Sequence, residues 1–244
     1  MDKTAYFGYQ NTVGIKAIGF DLDGTLYPGW RMYSSSLGMG LTHARFFAAF
    51  GSARRALRGE ILARMARASQ PSEATLGTLE DLRSFQAGFL ASKLGYDIEY
   101  AKTMIDRLCY IEVEKRFDRI QPYKDVIPCL ESLKKTGLRL GVLSDLPPGG
   151  KLERMGVLHY FDTVMCSEDF GTLKPSPIPF SELAKQIGVL PEEMAYVGNK
   201  IEYDAKGAKA LGMKTAILGI KPHPSADYMF TSWNNLRTWI LSLG

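Results

Sequence analysis

The stretch FDLDGTLY, residues 20–27, follows the run IKAIG at 15–19 and places two carboxylates, Asp21 and Asp23, one residue apart at its end. Apolar and small residues around a single lysine, closed by turn chemistry, predict a buried strand. Alternate side chains of an extended backbone share a side, so Asp21 and Asp23 face one pocket, and Gly24 lets the chain turn sharply behind them. Two acids facing one pocket repel unless a cation lies between them.

Outward from this strand the pattern changes twice. Between residues 37 and 117 apolar positions recur at three- and four-residue spacing, and turn signals stand at Gly51, at SQPSE (69–73) and at LGYD (94–97). This predicts about four helices and no strand. After IQPYKD (120–125), helix and strand patterns alternate through VIPCLESLKKTG (126–137), LRLGVLS (138–144), GGKLERMG (149–156), DTVMC (162–166), IPFSELAKQIG (178–188), MAYVG (194–198), IEYDAKGAKALG (201–212) and KTAILGI (214–220). A short DYMF (227–230) and an amphipathic WNNLRTWILSL (233–243) close the chain. Such alternation means an α/β fold with a doubly wound parallel sheet covered on both faces, here interrupted after its first strand by a helical insertion.

Composition is permissive. The 244 residues, 45% of them hydrophobic, are enough for a sizeable core, and a net charge of +4 selects no partner. Cys109, Cys129 and Cys166 are far apart and lack metal-ligand spacing, which predicts buried free thiols rather than disulfides or a zinc site. No apolar h-region and no apolar stretch of membrane length is present, so the expectation is a soluble, cytoplasmic protein with no membrane partner.

Ligands of open parallel sheets bind at the carboxyl ends of the strands, and other strand ends here complement the two acids. Ser144 closes LRLGVLS, Lys174 lies in GTLKPSP, and Asn199 and Asp204 follow MAYVG. Phosphoryl transfer needs an in-line nucleophile, a metal to shield it and donors for the equatorial oxygens. In that chemistry Asp21 attacks phosphorus, Asp23 protonates the leaving alcohol and later deprotonates water, and Ser144 donates to a phosphate oxygen. Lys174 neutralises charge, and Asp21, the carbonyl of Asp23, Asn199 and Asp204 supply oxygen ligands to Mg²⁺.

In order, DLDGT, the serine of VLSD, the lysine of LKPSP and VGNKIEYDAKGA resemble motifs I to IV of the haloacid dehalogenase superfamily across residues 15–219. The resemblance implies a Rossmann-like catalytic core of residues 1–27 and 121–244, a helical cap of residues 28–120, Mg²⁺ dependence and phosphatase activity on a small phosphorylated metabolite. The founding dehalogenases lack the second acid; displacing a halide needs no proton delivery to an alkoxide, so Asp23 argues for phosphate chemistry. Two positions depart from the pattern. Asn199 stands where the family more often has aspartate, which implies weaker Mg²⁺ binding, and Asp145 follows Ser144, where an acid facing the pocket would repel phosphate.

Other readings carry less. A calcium loop starting at Asp21 fails because Leu26 stands where glycine is needed and Met32 where glutamate belongs. His43, His159 and His223 are scattered and form no triad with a nucleophile. Arg54, Arg55, Arg58, Arg64 and Arg67 surround an apolar stripe of Leu57, Ile61 and Met65, which reads as a solvated basic face; without interleaved aromatics no nucleic-acid partner is expected. Tyr27, Trp30 and Tyr33 either line the mouth of the site or wedge the cap against the core. A phosphomutase sharing the four motifs, and a catalytically weak phosphometabolite binder, are the alternative functions; the sequence does not reveal the oligomeric state.

Overall fold

The computed structural model describes residues 14–70 and 73–243. The run at 15–19 becomes strand β1, Ala17–Phe20, buried throughout. Five more strands, β2 (Arg139–Ser144), β3 (Thr163–Cys166), β4 (Met194–Gly198), β5 (Lys214–Leu218) and β6 (Tyr228–Phe230), complete one parallel sheet. Its order is β3-β2-β1-β4-β5-β6. This is the expected doubly wound α/β sheet, with DYMF contributing the sixth strand.

Strand order reverses at β1, since the chain runs outward through β2 and β3 on one side and through β4 to β6 on the other. A crevice opens at such a switch point. Register makes it usable: Phe20 lies level with Val142 of β2 and Val197 of β4, so the residues that follow these strands emerge together.

Both faces are covered, which is why the strands read as near-continuous apolar runs. On one face Ile18, Phe20 and Val142 pack with Leu130 of the helix Val126–Lys135 and Trp233 of the helix Trp233–Leu241. On the other, Ala17, Leu143 and Tyr196 meet Phe180, Leu183 and Ile187 of the helix Pro177–Ile187.

Between β1 and β2 every described element is helical, principally Ala44–Arg67, Leu79–Leu94 and Ile98–Ile105, the last running on through a π-helical turn at Asp106–Glu112. Local chemistry sets the boundaries. Thr78 and Asp81 form a reciprocal capping box, and Gly95 ends the same helix in the left-handed conformation. Gly51, expected to mark a turn, instead lies inside Ala44–Arg67; one glycine costs a helix about 1 kcal/mol relative to alanine, and burial of Phe46, Phe50 and Ala53 against Leu90, Ala101 and Met104 outweighs it.

The helical segment meets the sheet domain beside the switch point. Leu173 completes a cluster with Leu57, Ile61 and Leu82, while the carbonyl of Ala74 accepts the hydroxyls of Thr172 and Ser176 at 2.9 Å each. The Leu76 N–H donates to the Gly171 carbonyl at 2.9 Å. Both flanks of Lys174 are thereby fixed from outside the sheet. All three cysteines are buried and free, and no helix among the described residues is long and apolar enough to cross a membrane.

Candidate active site

Asp21 emerges from β1 with its N–H donated to the Val197 carbonyl at 2.8 Å, which ties it to β4. Gly24 has φ +90°, a conformation that side chains disfavour, and a Cβ there would strike the Asn199 amide. The resulting turn brings the Thr25 hydroxyl within 2.7 Å of Asp21 Oδ2. Lys174 Nζ reaches Asp21 Oδ1 at 2.6 Å and Asp204 Oδ1 at 2.7 Å, so a single buried ammonium bridges two buried carboxylates. Burial, aided by the nearby charge of Asp204 and opposed by Lys174, pushes the Asp21 carboxyl up to about 7. Burial alone would depress Lys174, but its two carboxylate partners prevail and hold it well above the ordinary lysine value.

Asp204 sits in a π-helical turn, Ile201–Ala205, that opens the helix expected at 201–212. Its Oδ2 accepts the N–H groups of Asn199 and Lys200 at 3.0 and 2.9 Å. A Cβ at position 198 would overlap the Asp204 side chain, so glycine is required there. Such turns insert one extra residue per turn and re-aim side chains.

Asp23 has different company. Lys151 Nζ lies 3.0 and 2.9 Å from its two carboxylate oxygens, the Tyr27 hydroxyl donates at 2.6 Å, and Ser144 Oγ stands at 3.4 Å. Burial favours the neutral acid, yet Lys151 and Tyr27 outweigh it and hold Asp23 below the usual carboxylate range. Asn199 Nδ2 donates to the Asp23 carbonyl at 3.2 Å. Of the three aromatics after β1, Tyr27 is buried and packs edge-on against Phe117 at 5.2 Å, whereas Trp30 and Tyr33 are exposed.

A cavity of about 210 Å³ opens over these groups, walled by Asp21, Asp23, Lys174, Asn199 and Asp204 from the strand ends and by Arg54 and Arg58 from the helix above. Ser144 is fully buried behind it. The two arginines correct the reading of a solvated face. Arg54 is buried, pairs with Glu168 and donates to the Asp145 carbonyl at 2.8 Å. Arg58 bonds Asp145 Oδ2 at 2.8 Å and lies over the Tyr203 ring at 4.3 Å.

Asp145 is thus clamped rather than left to repel phosphate. Its second oxygen accepts the Lys174 N–H at 3.0 Å, and although burial raises its pKa, Lys174, Arg58 and Arg54 together lower it below normal. Asp145→Asn is expected to cost about 1.5–3 kcal/mol, the range for hydrogen bonds to charged groups. An unchanged melting temperature would show that this contact does not hold the helical segment on the sheet.

The donors around Asp21 are oxygens. Among the described residues no three His, Cys, Asp or Glu side chains form a ready cluster, which disfavours zinc. Magnesium is different, being held by one or two carboxylates with neutral oxygens and waters. The carboxylates of Asp21 and Asp204 flank Lys174, and the Asp23 carbonyl and the Asn199 amide stand beside them in the same cavity. The residues fit Mg²⁺.

Sequence reasoning brought Asp21, Asp23, Ser144, Lys174, Asn199 and Asp204 to one place, and the structure has them adjacent. It missed Lys151, Arg54 and Arg58. For the arginines the four-residue spacing on one helix face was visible, but not what that face covers; Lys151 carried no signal beyond its place just after a strand end.

Residues 15–212 match the haloacid dehalogenase-like hydrolase family model. The chain belongs to this family. A glyceraldehyde 3-phosphate phosphatase of Methanopyrus kandleri is 32% identical over 210 residues, 82% of each protein. Among solved structures, a HAD phosphatase from Thermococcus onnurineus superposes with a TM-score of 0.63 at 28% identity, covering 93% of this chain and 98% of that one. An L-2-haloacid dehalogenase from Xanthobacter autotrophicus reaches the same 0.63 at 18% identity, covering 94% of this chain and all of the other. The dehalogenase likeness speaks for the shared fold of the haloacid dehalogenase-like hydrolases and not for its chemistry.

Proposed function

We propose that this hydrolase is a phosphatase acting on a small phosphorylated metabolite, with Asp21 as nucleophile and Asp23 as acid and base. The observation that carries the reading is geometric: Asp21, at the end of β1, shares the Lys174 ammonium with Asp204 at 2.6 and 2.7 Å, and Asp23, two residues on and 3.4 Å from Ser144, lines the same cavity. The phosphatase relative supports it.

In the first step an Asp21 oxygen attacks phosphorus in line, the bond to the substrate oxygen breaks, and Asp23 gives that oxygen a proton. Asp23 is ionised in the free protein, but an arriving phosphate dianion raises its proton affinity and loads it. In the second step Asp23 takes a proton from water, whose oxygen attacks the phosphorus of the aspartyl-phosphate; the bond to Asp21 breaks and inorganic phosphate leaves. Lys174 offsets charge on Asp21 and the phosphate, and Ser144 turns from its long contact with Asp23 to a phosphate oxygen. Asp21, Asp204, Asn199 and the Asp23 carbonyl would hold Mg²⁺, which when bound supplies the positive charge that lets an anion approach a phosphate.

Phosphate release from an aryl phosphate tests this. Release is expected with Mg²⁺ and should fall ~10²-fold or more on chelation; a rate no better than spontaneous hydrolysis in both conditions would favour the binding protein instead. Asn199→Asp is expected to tighten Mg²⁺ binding about tenfold, because an anion near the cation replaces a neutral amide. Calorimetric titration showing equal or weaker affinity would place Asn199 away from the metal.

A further inference from the structure

A second cavity, of about 480 Å³, adjoins the first. Its walls come from the two short helices after β1 (Met32, Leu37, Met39), from Phe47 and Phe50 of the helix Ala44–Arg67, and from Leu146. Leu146 also walls the acid-lined cavity, and one helix serves both, with Phe50 in the apolar cavity and Arg54 one turn on in the charged one. The Arg54 guanidinium stands 5.7 Å from the Phe50 ring. Polar and apolar compartments therefore share a boundary.

The two cavities meet at Leu146. The departing oxygen must lie within reach of Asp23, which protonates it. Ser144 is 3.4 Å from Asp23, and the Leu146 N–H donates to Ser144 Oγ at 3.2 Å. Leu146, a wall common to both cavities, is where a group attached to that oxygen would cross into the apolar one.

We infer that the substrate is a phosphate monoester whose alcohol carries an extended apolar group, an acyl, prenyl or aryl chain. This rests on the phosphatase reading for its orientation and goes beyond it in naming the alcohol. A cavity of a few hundred Å³ is of the size that encloses a small ligand, whereas a three-carbon polyol phosphate would leave the apolar walls wet.

The experiment separates binding from turnover. Dissociation constants of unbranched alkylphosphonates from methyl to octyl are measured by calorimetry with the full chain and Mg²⁺, and hydrolysis of the matching alkyl phosphates is followed in parallel. Burial of each methylene is expected to tighten binding about threefold to fourfold until the cavity fills. Gly51→Phe and Gly40→Leu, which add side chains at two positions lining the cavity, should each reduce the octyl-to-methyl affinity ratio at least tenfold; melting curves confirm that at least one of them folds. A flat series in the parent chain overturns the inference whether or not hydrolysis occurs. A rising series without hydrolysis keeps the apolar site and removes the phosphatase reading. Exposed Tyr33, Leu37 and Leu41 rim the cavity; if sedimentation shows a dimer that Leu41→Glu dissociates, and the series is flat, the face joins two copies and the inference falls.

Discussion

Asp21→Asn is expected to lower phosphate release by at least about a thousandfold, the scale seen when a covalent nucleophile is removed. The amide has nearly the shape of the acid and keeps an oxygen for the Thr25 hydroxyl, 2.7 Å away in the parent. It is a poor nucleophile toward phosphorus, so the chemistry goes and the architecture stays. Stability should hold or rise, because the substitution removes a charge that burial and Asp204 already push toward neutrality. The proof is a rate paired with a melting curve. Activity within tenfold of the parent would exclude Asp21 as nucleophile, and a large drop in melting temperature would mean that its charge is needed to hold the fold.

Lys174→Met should act on both function and fold. The ammonium lies between Asp21 and Asp204 at 2.6 and 2.7 Å and is itself 3% exposed. Removing one member of a buried ionic group leaves the others uncompensated and costs about 3–5 kcal/mol. Because the group is shielded from solvent, added salt should not reproduce the loss. Adding Asp204→Asn to Lys174→Met should restore part of the stability, since one unpaired carboxylate disappears, without restoring turnover. Urea denaturation of the single and double variants measures the coupling; a loss below about 1 kcal/mol, well under the buried-pair range, would mean that the three groups do not act as a unit.

The strand ends were legible because a buried parallel strand must be apolar and must stop where polar chemistry begins. FDLDGT, VLS and MAYVGN each show that transition, and with β1 flanked by β2 and β4 their ends converge. Lys174 was legible only through its place among the other motifs, as its loop has no periodic signature. Arg54 and Arg58 were misread because helical spacing reports which residues share a face, not whether water or another element lies against it; here Asp145, Glu168 and Tyr203 do. Asp145 was unreadable for the complementary reason, since its partners lie 87 and 91 residues away. Gly51 misled because a glycine that punctuates a loop looks like one carried inside a helix by the packing of its neighbours.

The central claim is that phosphorus is bonded to Asp21 before water reaches it. The stereochemical course at phosphorus tests this directly, using a phosphorothioate monoester made chiral with two oxygen isotopes and turned over in water of the third. Each in-line displacement inverts the configuration, so attack by Asp21 followed by attack by water predicts net retention in the released thiophosphate. Net inversion would show a single displacement by water, with Asp21 never joined to the phosphoryl group.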